Sequence, residues 1–296
     1  MPGRLVAWVG FVFPREITLP ERVTSDLHSV SVQGTRVVYW ERGSGPVILL
    51  VHGMFGDHLD WEPVLELLAV RHRVLAVDLP GFGESEKPDE NYCAEFFVAA
   101  IAEFLDQVSV RRATLVGNSF GGILALRFAL AHPDRVERLI LVSGVREFSE
   151  EERTFTRQRM SRENLLRLTP EVNQQLFAPI FAKDGPAQRR YFAKQDAKLK
   201  RADYPEYARA MARSIETALT AYQPNRLGEI VCPTMLLWGE QDAVIPPDHV
   251  RSAMSQLKSG TLQLLSGCGH APQIDDPKAF LDAIEGFLSK SEPFSR

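Results

Sequence analysis

Three residue types at telling positions carry the chemistry of this chain. Ser119 lies in Gly117-Asn118-Ser119-Phe120-Gly121, a G-x-S-x-G pattern. A serine hydroxyl is a weak nucleophile and needs a base beside it. Of the seven histidines, His270 sits in the glycine-rich turn Gly267-Cys268-Gly269-His270. Such a turn can carry an imidazole over the edge of a sheet, so His270 is the expected general base. The imidazole in turn needs an acid to fix its tautomer and stabilise its cation. Asp242, in Trp238-Gly239-Glu240-Gln241-Asp242, is the expected acid. Glu147 is the competing acid and lies far from the strand end it would have to serve, while Glu240 and Asp248 read as solvated loop residues.

Acyl transfer also needs donors for the developing oxyanion. The backbone N–H of Phe120, directly after the serine, supplies one. The second is expected from the loop Val51-His52-Gly53-Met54-Phe55-Gly56, at Met54 with Phe55 as the alternative. Phe55, His52, Asn118 and Val244 are expected to border the substrate pocket. His52 is also expected to order its own loop through hydrogen bonds. Because Met54, Phe55 and Phe120 are bulky and apolar, the expected substrate is small to medium, uncharged and apolar. The glycines of Asp78–Ser85 (DLPGFGES) do not follow G-x-G-x-x-G, and no P-loop lysine follows them, so that segment reads as a structural loop.

These side chains need a scaffold. Val47–Val51 (VILLV), Ala113–Val116 and Leu139–Ser143 are continuous apolar runs, as strands buried on both faces require. Ser29–Gln33 and Val37–Arg42 alternate around Gly34 and predict a hairpin. Arg73–Asp78, Thr234–Gly239 and Thr261–Leu265 complete the strands. Tyr92–Val108 and Pro277–Leu288 have helical spacing, and a helix begins directly after Ser119. The alternation predicts an α/β fold, a mostly parallel doubly wound sheet. Residues 146–223 break the rhythm with charged, amphipathic stretches and read as an inserted helical cap. The body is then 23–145 with 224–296, and 1–22 an N-terminal arm. Within that arm, Leu5–Phe13 is too short to span a bilayer and reads as a packed strand or arm. A membrane-surface or partner contact and a cleaved signal are the alternatives for that segment.

The chain has 296 residues, 45% apolar and 24% charged, with net charge −4. No basic footprint for nucleic acid is present. Cys93, Cys232 and Cys268 are widely spaced, with no CxxC or Cys/His cluster. That pattern predicts no metal site, and it fits a reducing, cytoplasmic compartment. A homodimer is compatible with the sequence.

Taken together, His52-Gly53, Asp78–Ser85, Gly117–Gly122, His132–Val136 (HPDRV), Trp238–Pro247 (WGEQDAVIPP) and Gly267–His270 resemble the α/β-hydrolase superfamily from about Val23 onward. The order Ser, Asp, His is the one this fold uses. The resemblance implies a cofactor-free serine hydrolase acting on a small-molecule ester. The elbow is also similar to that of meta-cleavage-product hydrolases, which split carbon–carbon bonds. That group usually carries tryptophan after its histidine, whereas Ala271 follows His270 here. Epoxide hydrolases and haloalkane dehalogenases use an aspartate where this chain has Ser119. Carboxylesterases, perhydrolases and slow-turnover receptors of this fold share the pattern.

Overall fold

The computed structural model describes residues 27–289, so the expected N-terminal arm lies outside the described residues. The strands are β1 (Leu27–Val32), β2 (Thr35–Arg42), β3 (Val47–Val51), β4 (Arg73–Val77), β5 (Ala113–Asn118), β6 (Val136–Val142), β7 (Thr234–Gly239) and β8 (Gly260–Leu265). They form one eight-stranded sheet in the order β1-β2-β4-β3-β5-β6-β7-β8. The hairpin β1–β2 and its junction with β4 are antiparallel, and every pairing from β4 to β8 is parallel. The hairpin turn is Gln33-Gly34, both at positive φ (51° and 72°), the geometry that matches the right-handed strand twist.

Apolar strands alternate between two cores. In β3, Leu49 and Val51 face one side with Leu75, Leu115, Leu141 and Leu236. Ile48 and Leu50 face the other with Val74, Val116, Ile140 and Leu237. The first face is covered by α2 (Ala94–Gln107) and α3 (Phe120–Ala131), through Phe97, Phe104, Leu124 and Phe128. The second is covered by α1 (Glu62–Leu68) and the last helix, Pro277–Leu288, through Val64, Leu65, Phe280 and Ile284. Each fully buried Leu or Phe contributes about 1.5–3 kcal/mol. A strand with both faces covered therefore gains at every position.

Between β6 and β7 the chain forms α4 (Glu150–Arg159), α5 (Arg162–Leu165), α6 (Pro170–Phe177), α7 (Pro186–Lys198) and α8 (Tyr204–Thr220). Downstream come α9 (Asp248–Gln256), α10 (Pro272–Asp275) and α11 (Pro277–Leu288). α1, α9 and α10 carry no clear mark in the sequence. The first begins Glu62-Pro63 and is short, and α9 is mostly polar, so neither shows a long apolar period. None of the described helices is long and apolar enough to cross a membrane.

The loop after β4 folds around a carboxylate. Asp78 is fully buried and accepts from the His58 N–H (2.6 Å) and the Glu84 N–H (2.8 Å). Its two oxygens also lie 3.0 Å from His58 Nδ1. A Cβ at Gly83 would fall 2.2 Å from Asp78 Oδ2, so that glycine is required by the carboxylate it wraps. For His58, burial disfavours the cation, yet the hydrogen bond and charge of Asp78, aided by Asp57, outweigh it and raise the pKa.

A raised histidine pKa stabilises the fold below the unfolded value of about 6.5, and the gain disappears as pH rises through the folded value. The wild-type advantage over His58→Gln, read as the gap in urea midpoints, is therefore expected to be larger at pH 6 than at pH 9. A gap that stays constant or widens with pH contradicts the pairing.

Candidate active site

The turn joining β5 to α3 puts Ser119 at φ 53°, ψ −116°, a conformation that residues with a side chain rarely adopt. Close packing enforces it. A Cβ at Gly117 would lie 2.3 Å from Gly121 O, and one at Gly121 would lie 2.2 Å from Val51 O. The Ser119 N–H donates to Val142 O at 2.7 Å, tying the turn to β6. The hydroxyl thus sits at the N-terminus of a twelve-residue helix, where the helix dipole favours negative charge.

The turn after β7 presents Asp242. Its Oδ1 accepts from the Val244 and Ile245 N–H groups at 2.9 and 2.8 Å. Its Oδ2 lies 2.8 Å from His270 Nδ1. The indole N–H of Trp238 donates to Ile245 O at 2.8 Å and braces the same turn. Asp242 and His270 are both buried, 3% and 5% exposed. With Nδ1 donating to the carboxylate, Nε2 keeps a lone pair and can accept a proton.

His270 is fastened on three sides. Its own N–H donates to Ile180 O at 2.7 Å, and its carbonyl accepts from Asn118 Nδ2 at 3.1 Å. Gln273 Nε2 donates to Asn118 Oδ1 at 3.3 Å. Asp275 Oδ2 accepts from both the Gly269 and Ala182 N–H groups (2.6 and 3.2 Å), joining the histidine turn to the segment before α7. Burial raises the Asp275 pKa against those two hydrogen bonds.

Ser119 and His270 line one cavity of about 580 Å³. Met54, Phe55, Phe120, Asn118 and Val244 line it too. The roof comes from residues between β6 and β7, notably Phe155, Met160, Phe177, Tyr191, Ile215 and Leu219. Of the expected pocket residues, His52 does not reach the cavity. It is fully buried, with Nε2 accepting from the Leu79 N–H (3.1 Å) and Nδ1 bonded to Gly53 O (2.8 Å). Burial lowers its pKa, so the neutral ring ties two loops together and is not available to a ligand.

Arg146 and Gln273 were not foreseen from sequence, and both line the cavity. Arg146 donates to Val244 O at 3.3 Å, pairs with Glu152 and stacks on Phe148 at 4.5 Å. Its Nε and Gln273 Oε1 are buried without a protein partner. No run or motif marks either residue. Among the described residues, no group of three or more His, Cys, Asp or Glu is placed to hold a metal.

Known proteins resemble this chain in sequence and in fold. The sequence model of the alpha/beta hydrolase fold family matches residues 46–277. An uncharacterised protein of Mycobacterium tuberculosis is 31% identical, over 89% of this chain and 81% of its own. The 2-hydroxy-6-oxo-6-(2'-aminophenyl)hexa-2,4-dienoic acid hydrolase of Metapseudomonas resinovorans is 26% identical, over 90% and 92%. The crystal structure of a bacterial membrane phospholipase A superposes with TM-score 0.76 at 30% identity, covering 88% of this chain and 85% of that one.

The contacts around the serine turn set a stability expectation. Gly121→Ala forces a methyl onto the Val51 carbonyl and is expected to cost about 3 kcal/mol or more in urea unfolding. Gly286→Ala, where a Cβ meets nothing within 4 Å in the helix α11, is the control and should be neutral or stabilising. Equal effects of the two would contradict the packing described.

Proposed function

The chain belongs to the α/β-hydrolase family, and on that premise we propose that it hydrolyses small to medium apolar carboxylic esters through an acyl-enzyme. Ser119 attacks the carbonyl carbon while its proton passes to His270 Nε2. Asp242 holds the imidazole and stabilises its cation. The N–H groups of Phe120 and Met54 receive the oxyanion. Collapse of the tetrahedral intermediate expels the alcohol, which takes the proton from His270. Water, deprotonated by the same nitrogen, then attacks the acyl group, and collapse of this second tetrahedral intermediate releases the acid as the proton on His270 returns to Ser119 Oγ. The observation that carries this reading is the 2.8 Å approach of Asp242 Oδ2 to His270 Nδ1, with Oδ1 already held by two backbone donors. With Oδ1 so engaged, Oδ2 is the oxygen left to accept from the imidazole.

Residues 146–223 act in this reading as a cap, since their helices roof the cavity. The volume suits a ligand of modest size. The lining is apolar for most of its extent, which favours uncharged acyl groups. The free cysteines Cys93, Cys232 and Cys268 fit a reducing, cytoplasmic setting.

A second reading is carbon–carbon hydrolysis of a conjugated diketone, as the name of the Metapseudomonas relative describes for that protein. The Arg146 side chain in the cavity lining favours it, because its guanidinium adds a cationic group to an otherwise mostly apolar wall and a dienoate substrate is anionic. Ala271 beside the base weighs against it.

The direct test is turnover of p-nitrophenyl acetate and butyrate by wild type and Ser119→Ala. Loss of a triad member is expected to lower the rate about 10⁴-fold or more. Near-wild-type turnover by the variant would remove Ser119 from the chemistry. A series of acyl lengths, with a succinyl ester and a dienoate ketone alongside, separates the two readings. Preference for the dienoate ketone over every ester would overturn the ester assignment.

A further inference from the structure

We propose that Lys198, at the end of α7, is a positioning residue for the oxyanion-binding backbone, so that charge stabilisation at Ser119 depends on α7 being docked against the β3–α1 loop. The inference rests on the role given above to Ser119 and the Met54 N–H.

Phe55 adopts φ 64°, a left-handed conformation unusual for a residue with a bulky side chain. That torsion joins the Met54–Phe55 peptide to the Phe55 carbonyl. The carbonyl accepts from Lys198 Nζ at 2.6 Å and from Gln195 Nε2 at 3.3 Å. Both donors come from one helix, three residues apart. The Phe55 ring is held from the roof as well, edge-on to Phe177 with centroids 5.1 Å apart. Within the loop, the Gly56 N–H donates back to Gly53 O at 3.0 Å. Gly53 passes so close to the serine that a Cβ there would lie 3.3 Å from Ser119 Cβ. A rotation about Phe55 is therefore transmitted to the segment facing the reacting hydroxyl.

Lys198 is itself fixed. Its ammonium lies 2.7 Å from Asp57 Oδ2, and Lys194 pairs with Asp57 Oδ1 (3.2 Å) and with Asp60. Asp57, Asp60 and Lys198 are 4%, 6% and 9% exposed. Burial works against the charge on Asp57, but the two lysines outweigh it and hold its carboxyl well below the usual carboxylate range. Buried ion pairs are weak devices for stability, because desolvation offsets their attraction. They are good devices for geometry, because any displacement leaves a charge unpaired. Here the ammonium points at a backbone carbonyl two residues from the carboxylate that anchors it. That arrangement orients the peptide as well as joining helix to body.

The experiment is steady-state kinetics of Lys198→Met and Lys198→Arg on p-nitrophenyl butyrate. Inhibition by a butyl trifluoromethyl ketone, whose hydrate loses water so that Ser119 Oγ can add to its carbonyl and leave an oxyanion, is measured in parallel. Lys198→Met should lower kcat about 10- to 100-fold, less than outright loss of an oxyanion donor. KM should stay within about threefold, as expected when only a transition-state interaction is lost. The ketone should bind more weakly by a factor similar to the loss in kcat. Lys198→Arg should recover most of both losses. If Lys198→Met does not fold, Asp57→Asn/Lys198→Met removes both charges together and is judged by the same measurements. Unchanged kcat and ketone affinity in a folded variant overturn the proposal, whatever the change in melting temperature. So does a loss falling equally on kcat and KM that arginine leaves unrecovered. A wild type that the ketone does not inhibit, together with an active Ser119→Ala, would sink the Ser119 reading itself and this inference with it.

Discussion

The positive φ of Ser119 is the constraint around which the rest of the molecule is arranged. A strained residue persists only when its surroundings over-determine it. Here they do so from three strands. The β6 carbonyl of Val142 receives the Ser119 N–H at 2.7 Å. The β3 carbonyl of Val51 lies where a side chain at Gly121 would be, and the start of α3 closes on Gly117. The turn can be this tight only because β3, β5 and β6 are adjacent and in parallel register. That adjacency follows from apolar strands buried between two helical layers. The reactive geometry is thus maintained by the core as a whole and not by the serine's immediate neighbours.

The same logic extends to the two loops that face the serine. The histidine turn and the β3–α1 loop both lie at strand ends, where packing alone would leave them loose. Each is held by polar contacts from the segment between β6 and β7. Ile180 O and Ala182 N–H hold the histidine turn, through His270 N–H and Asp275. Lys194, Gln195 and Lys198 hold the other loop. The roof therefore does more than enclose space. It supplies hydrogen bonds to the backbone on both sides of Ser119.

How much of this was legible in the sequence depends on whether the signal was local. VILLV reads as a strand buried on both faces because five apolar residues in succession have no amphipathic solution. Ser119, His270 and Asp242 each sit in a turn after a strand, with glycine nearby, so their neighbours single them out as candidates. His52 was half legible. Its loop-ordering role was evident, whereas its absence from the cavity depends on the Leu79 N–H from another loop. Lys194 and Lys198 were opaque. Two lysines one helical turn apart are the usual mark of a solvated face, and their acids, Asp57 and Asp60, lie more than a hundred residues earlier. Nothing local distinguishes a buried ion pair across that separation from four surface charges. Arg146 was hidden for a similar reason, since its carbonyl partner at Val244 is nearly a hundred residues downstream.

Where the roof is fastened also indicates where it is free to vary. α6, α7 and the segment between them contribute the buried aromatic cluster Phe177, Phe181 and Tyr191, and α7 carries the charged contacts to the body. α4 is different. None of its residues is buried, and Phe155, which lines the cavity, is 61% exposed. A helix held mainly by its capping box and surface ion pairs contributes little to stability. Its cavity-facing residues, Phe155, Thr156 and Arg159, can therefore change without disturbing the serine turn or the two loops it faces. Chemistry and specificity are in this way carried by different parts of the chain. In the proposed reaction the fastened side must keep its geometry for acyl transfer to occur, and the α4 side is where side chains can change at small cost to the fold.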